Sequence, residues 1–154
     1  MIVEVTKDNI IDAAKIHSLS WKDSHRSFCS SGFIAIHSVE HQIDYLNDEI
    51  KQGKKVFMLV LDKPVGIVSI WNDLIENLYV LPEEQCKGYG TGLLLFAIKQ
   101  CKEKPSLWIL DNNHGAYKLY TKHGFKKTGK VNLISKENNI YEEEMVLNIS
   151  NKVV

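Results

Sequence analysis

Between residues 78 and 92 the chain passes from the apolar run Leu78, Tyr79, Val80 and Leu81 into a loop holding Gly88, Gly90 and Gly92. It then enters the apolar stretch Leu93, Leu94, Leu95, Phe96, Ala97 and Ile98. A strand, a glycine-rich turn and a helix apolar on nearly every side require a sheet for the helix to lie on. The loop has a second consequence. Glycines leave backbone N–H groups bare and let a bulky anion come close, and the helix that follows adds the positive end of its dipole. The segment therefore implies a site for a phosphate or pyrophosphate.

The rest of the chain supplies that sheet. Residues 2–6 alternate and read as a first strand, and Thr6 or Asp8 can cap a helix whose apolar contacts are Ile10, Ile11, Ala14 and Ile16. Residues 20–37, with Trp21, Phe28 and Phe33, read as a loop with a short helical turn. Ser38 is a good cap for the next helix, where Val39, Ile43, Leu46 and Ile50 form one apolar stripe before Gly53 stops it. Residues 55–61 and 65–71 are β-rich runs joined by Asp62, Lys63 and Pro64, a hairpin signature. A third strand spans 75–81. Beyond the apolar helix, 107–110 reads as a strand, a short helix carries Ala116, Leu119 and Tyr120, and two strands close the chain near 125–133 and 140–147. From these patterns alone the architecture is a mixed sheet covered by helices.

Composition narrows the class. With 154 residues, 44% of them hydrophobic, the chain is long enough for one domain with a substantial core. Nineteen basic and 19 acidic side chains cancel, so no electrostatic pull toward nucleic acid or an anionic membrane is expected. The same neutrality speaks against an acidic cleft dedicated to polyamines or aminoglycosides. No basic leader with a long apolar run opens the chain, and no stretch approaches the roughly 20 apolar residues that cross a bilayer. Cys29, Cys86 and Cys101 are scattered and odd in number, which implies reduced thiols and a cytoplasmic location.

Among phosphate loops, a P-loop is excluded, because no Gly-Lys-Ser or Gly-Lys-Thr occurs. The dinucleotide pattern G-x-G-x-x-G fails because the third glycine, Gly92, falls one residue early. The pattern [QR]-x-x-G-x-[GA] after a strand is filled by Gln85, Gly88 and Gly90. Downstream, Asn113, Ala116, Leu119, Tyr120, Gly124 and Phe125 fill N-x-x-A-x-x-[LF]-Y-x-x-x-G-F in register. In these two motifs, over roughly residues 75–125, the sequence resembles the GNAT superfamily of acetyl-CoA-dependent N-acetyltransferases.

The resemblance implies an α/β (α+β) fold: a single mixed, mostly antiparallel sheet of about seven strands flanked by about four helices and splayed at the fourth and fifth strands. Residues 1–148 would form the N-acetyltransferase domain and 149–154 a C-terminal tail. It implies acetyl-CoA as cofactor, with coenzyme A as product, and a small-molecule or protein amine as acceptor, attacking directly in a ternary complex. Gln85, Cys86, Lys87, Gly88, Tyr89, Gly90 and Thr91 would hold the pyrophosphate, and Leu78, Tyr79, Val80, Asn113, Ala116 and Tyr120 the pantetheine arm. Tyr120 corresponds to the general acid, and the N–H near Val80 to the oxyanion donor. A homodimer through the late strands is compatible with it. A non-catalytic CoA-binding sensor on the same fold and a nucleotide-binding module are the competing readings.

Three assignments come from residue placement. Glu76, by strand alternation on the face of Leu78 and Val80, is a candidate base, directly or through water, or else a solvated strand-end carboxylate. Trp21, His25 and Trp108 are candidate acceptor contacts. His37 to His41 matches H-x-x-E-H, a zinc pattern, but the helix starts at Ser38 and leaves His37 outside it, so no metal is expected.

Overall fold

The computed structural model describes residues 1–25 and 30–148. Phe28, Cys29 and the tail 149–154 lie outside the described residues. The elements are β1 (Ile2–Glu4), α1 (Ile10–His25), α2 (Ser31–Ala35), α3 (Val39–Lys51), β2 (Lys55–Val60), β3 (Pro64–Trp71) and β4 (Leu74–Val80). A 3-10 turn (Pro82–Glu84) leads to α4 (Tyr89–Gln100), β5 (Ser106–Leu110), α5 (His114–Lys122), β6 (Lys126–Ser135) and β7 (Ile140–Val146).

These strands form one sheet in the order β1-β2-β3-β4-β5-β7-β6. All neighbours are antiparallel except β4 and β5, which run parallel and share the single pair Leu74 with Ser106. Alternation along β2 and β3 sends Val56, Met58 and Ile67 to one face and Val68 and Ile70 to the other. Helices α1 and α3 cover the first face through Ile10, Ala13, Ala14, Ile16 and Leu46. Helix α4 covers the second with Leu93, Leu94, Ala97 and Ile98, joined by Tyr120 of α5. At the closest approach of α4, Gly66 leaves no room for a side chain: a Cβ there would stand 2.7 Å from Leu93 Cδ1 and 3.0 Å from the Tyr79 carbonyl oxygen.

The capping of α3 follows the sequence: the Ser38 side chain accepts from the His41 N–H, and Gly53 adopts φ 98° past the helix end. Three expectations need correction. Residues 20–25 are helical rather than loop, because α1 runs on to His25. Its Ser20 is buried, with Oγ donating to the Val80 carbonyl at 3.3 Å, a polar contact that apolar periodicity does not register. Ile11 is 55% exposed, since Ile10, Ala13 and Ala14 already occupy the inward stripe. Leu95 is 43% exposed on the outer side of α4.

Candidate functional site

The site is built on the separation of β4 from β5, and a local irregularity of β4 lies within the separated stretch. The register between β3 and β4 slips between Ile67 and Ser69: Ile67 faces Tyr79 and Ser69 faces Glu76, so Asn77 and Leu78 together oppose one residue of β3. Asn77 takes the left-handed conformation (φ 52°), and its Nδ2 donates to Tyr45 Oη at 3.2 Å and to Ser69 Oγ at 3.4 Å, which holds the bulge in place. β4 pairs with β5 at Leu74 alone, short of the bulge, and beyond that pair the two strands part.

The bulge also reverses the alternation. Leu78 and Val80 pack with the α4 core, whereas Tyr79 packs with the α1–α3 core. Glu76 lies opposite Ser69 on the α1–α3 side, where Lys54 Nζ is 2.8 Å from Glu49 Oε2 and 3.4 Å from Glu76 Oε1. The expectation that Glu76 shares a face with Leu78 and Val80 is therefore wrong: strict two-residue alternation does not survive an inserted residue.

Leu81 N donates to Val65 O on β3. The neighbouring Val80 and Leu78 thus turn their N–H and C=O groups the other way, toward the opening. The Val80 carbonyl accepts from Ser20 Oγ and from Gln85 Nε2 at 3.2 Å, so Gln85 ties the loop to the strand end. Cys86 (φ 64°) and Gly88 (φ 88°) turn the loop with left-handed backbone. Among the described residues no hydrogen bond takes up the N–H groups of residues 86–91, and they precede or begin α4.

A cleft of about 430 Å³ runs along this bare backbone. Gln85, Cys86, Gly88, Tyr89, Gly90 and Thr91 line one end, and Leu78 and Val80 line its strand side. Asn113, Ala116 and Tyr120 close it from α5. Asn113 caps α5, its Oδ1 accepting from Ala116 N at 3.1 Å, and so serves its own helix while lining the cleft. Two expected contacts, Lys87 and Tyr79, do not line this cleft, although Tyr79 lines the opening into which it leads. Lys87 reaches Glu84 Oε2 at 3.0 Å on the surface. The Tyr79 ring is stacked on His17 at 5.1 Å on the other face of the sheet, sent there by the bulge.

The cleft leads into the opening between β4 and β5, a cavity of about 120 Å³ lined on one side by Glu76, Asn77 and Leu78 and on the other by Trp108, Asn113 and Tyr120. Tyr120 and Glu76 thus reach one cavity from opposite faces of the sheet. Burial pushes the Tyr120 phenol up to about 12. Beyond the opening, on the α1 side, lies a third space of about 330 Å³ that brings together Trp21, His25, Trp108 and Glu76. Trp21 and His25 stand one turn apart on α1 and stack at 3.8 Å, and His25 Nδ1 lies 2.8 Å from the Trp21 carbonyl. Burial lowers the His25 pKa, with that carbonyl contact opposing. Sequence reasoning missed Asn77 and Glu142, which share this space. Asn77 carries no glycine signal for its bulge. Glu142 sits in the run Glu142-Glu143-Glu144, which reads as a solvated surface unless strand alternation is applied to it. Among the described residues no group of three or more His, Cys, Asp or Glu side chains is arranged to hold a metal ion.

The sequence pattern of the Acetyltransferase (GNAT) family matches residues 14–125. The chain belongs to that family. Solved GNAT-type structures share its fold end to end. PaiA N-acetyltransferase from Thermoplasma acidophilum, in complex with coenzyme A, superimposes with TM-score 0.68 at 19% identity, covering 94% of this chain and 96% of the other. A variant of spermidine N-acetyltransferase SpeG from Vibrio cholerae gives 0.73 at 18% identity over 99% and 97%. YncA, a putative acetyltransferase from Salmonella typhimurium with acetyl-CoA, gives 0.70 at 17% over 97% and 93%. No curated protein matches in sequence. The seven-stranded sheet, open at β4 and β5, is the GNAT fold that the two motifs imply. Among the described residues no helix is long and apolar enough to cross a membrane.

Proposed function

We propose that this GNAT chain transfers the acetyl group of acetyl-CoA to a primary amine, by direct attack in a ternary complex. One observation carries the reading: the glycine loop, with the bare N–H groups of its backbone, and Tyr120 line the same cleft, and that cleft continues into the β4–β5 opening. The residues fit the cofactor. A row of unpaired N–H groups at the start of a helix suits a diphosphate, and a methyl on Gly90 would meet nothing nearer than 3.8 Å, so the packing does not demand glycine there; the bare floor serves the groove. Leu78 offers its N–H and C=O groups along the opening to the pantetheine amides, as an added strand would use them, while the Val80 carbonyl is taken up by Ser20 and Gln85.

Acetyl-CoA supplies an acetyl carbon activated as a thioester. The chain supplies the rest. The Val80 N–H donates to the carbonyl oxygen as negative charge develops on it. Tyr120, whose phenol is protonated at neutral pH, donates its proton to the departing sulfur. Glu76, directly or through water, takes the proton that the amine sheds. We place the protein in the cytoplasm, a reading supported by the free thiol of the exposed Cys86. The exposed edge strand β6, with Val131 and Leu133 half exposed, supports pairing with a second copy.

Tyr120→Phe tests the mechanism. The ring and its packing stay and only the hydroxyl goes, so kcat should fall by roughly 10²–10⁴ while the thermal shift given by acetyl-CoA is kept. Wild-type turnover in the variant refutes the general-acid role. Acetyl-CoA binding without thiol release over a broad panel of amines would favour the non-catalytic reading instead.

A further inference from the structure

Among the described residues two carboxylates, and no lysine or arginine, line the space on the α1 side of the opening. Glu76 enters it from β4 and Glu142 from β7. Strand pairing sets Glu142 opposite Leu110 and Glu144 opposite Trp108, on the face away from Leu107 and Ile109. No buried residue of β5, β6 or β7 belongs to the α1–α3 core, so this face is not sealed by those helices. Glu143 points the other way and is paired with Lys127 at 2.7 Å.

Compensation is incomplete. Lys54 is shared between Glu49 and Glu76. Among the described residues Glu142 has no cationic partner; its polar contact is Asn132 Nδ2 at 3.5 Å. Burial, and then repulsion from Glu76, raise the Glu142 carboxyl above its ordinary value, with Asn132 opposing. An ammonium group beside it would relieve both. The chain's zero net charge averages this local excess away.

A second feature points to a donor-bearing ligand. Past Trp21, Asn77 and Tyr79 the space adjoins a chamber of about 180 Å³ walled by His17, Tyr45 and the imidazoles of His37 and His41. His17 is 3% exposed, and its Nδ1 has no partner among the described residues. A buried imidazole nitrogen without a partner is costly unless a ligand N–H or water meets it.

Resting on the transferase reading above, we propose that the acceptor is a flexible aliphatic amine carrying a second protonated amino group. The reacting nitrogen lies in the β4–β5 opening near Glu76, and the second ammonium is held by Glu142 beside the Trp108 indole. A longer chain would bring a further N–H to His17.

The test compares kcat/KM for diaminobutane and for butylamine, read as thiol release at low salt. The wild type should favour the diamine about tenfold or more, as a close charge pair in a partly buried site allows. Glu142→Gln should shrink that ratio to about two- or threefold, while Glu143→Gln, on the opposite face, keeps it. An unchanged acetyl-CoA thermal shift shows that the variant is folded. Equal efficiency with the two amines, or a ratio untouched by Glu142→Gln, overturns the inference and leaves the transferase reading standing. Absence of both acetyl-CoA binding and thiol release with every amine removes that reading and the inference with it.

Discussion

Replacing His17 by Phe should flatten the acid limb of the stability curve. The ring lies 5.1 Å from the Tyr79 ring and 5.4 Å from that of Tyr45, almost wholly out of water. Burial, with repulsion from His37, His41 and His25 behind it, lowers its pKa from 6.5 to about 3. A base with a depressed folded pKa stabilises the chain fully above the unfolded value of 6.5. That contribution drains away as pH falls toward 3, because only the unfolded chain takes up the proton. At pH 5 the unfolded imidazole is almost fully charged and the folded one still neutral, so the loss relative to pH 8 is about 2 kcal/mol. For a chain of this size that is a fall in Tm of about 4–8 °C. Phenylalanine keeps the stacking and does not titrate. It also removes the unpartnered Nδ1, so the variant should be at least as stable at pH 8. The assay is thermal unfolding by circular dichroism at pH 8 and pH 5 for both proteins. His25 and His37, also lowered mainly by burial, remain in both and cancel in the difference. Parallel loss of Tm in wild type and variant would refute the argument.

Two further outcomes test how the opening is framed. Gly66→Ala places a methyl against the fully buried Leu93 and the Tyr79 carbonyl, neither of which can give way, so it should cost about 1–3 kcal/mol and lower Tm by about 2–12 °C; an unchanged melt would contradict the packing. Asp73 accepts from the N–H groups of Lys102, Glu103 and Lys104 at 2.8, 3.1 and 3.1 Å, just before β5. Burial raises its carboxyl, but those three bonds outweigh it and hold the pKa below 3.8, so the stabilisation is whole above that value and lost as pH falls through the folded one. Asp73→Ala should therefore melt several degrees lower at pH 7, with the deficit closing at the acid end of a pH series; a deficit independent of pH would count against the clamp.

What could be read from the residues, and what could not, divides along one physical line. Periodicity exposed β2 and β3, the stripe of α3 and the helix after Gly88, because each is a regular repeat facing one core. The cleft over the glycine loop, proposed here for the coenzyme, was legible too, since glycines and a helix start are chemical as well as structural signals. The illegible parts are those where the repeat breaks. Asn77 enters the left-handed region with no glycine to announce it, and a single extra residue sends Glu76 and Leu78 to opposite faces. The end of α1 carries Ser20, Trp21 and His25, whose value lies in polar and aromatic contacts with β4 and the cleft rather than in apolar spacing. Glu142 is hidden for the converse reason: its neighbours in sequence are also acidic, and only the pairing with β5 separates it from Glu143. These failures share a location. The bulge that defeats strict alternation lies just beyond the point where β4 and β5 part, and it leaves the Glu76 carboxylate on the α1 side of the opening. A perfectly periodic β4 would have been easier to read from the sequence, but it would have kept Glu76 on the face of Leu78 and Val80, away from the α1-side space proposed here for the amine.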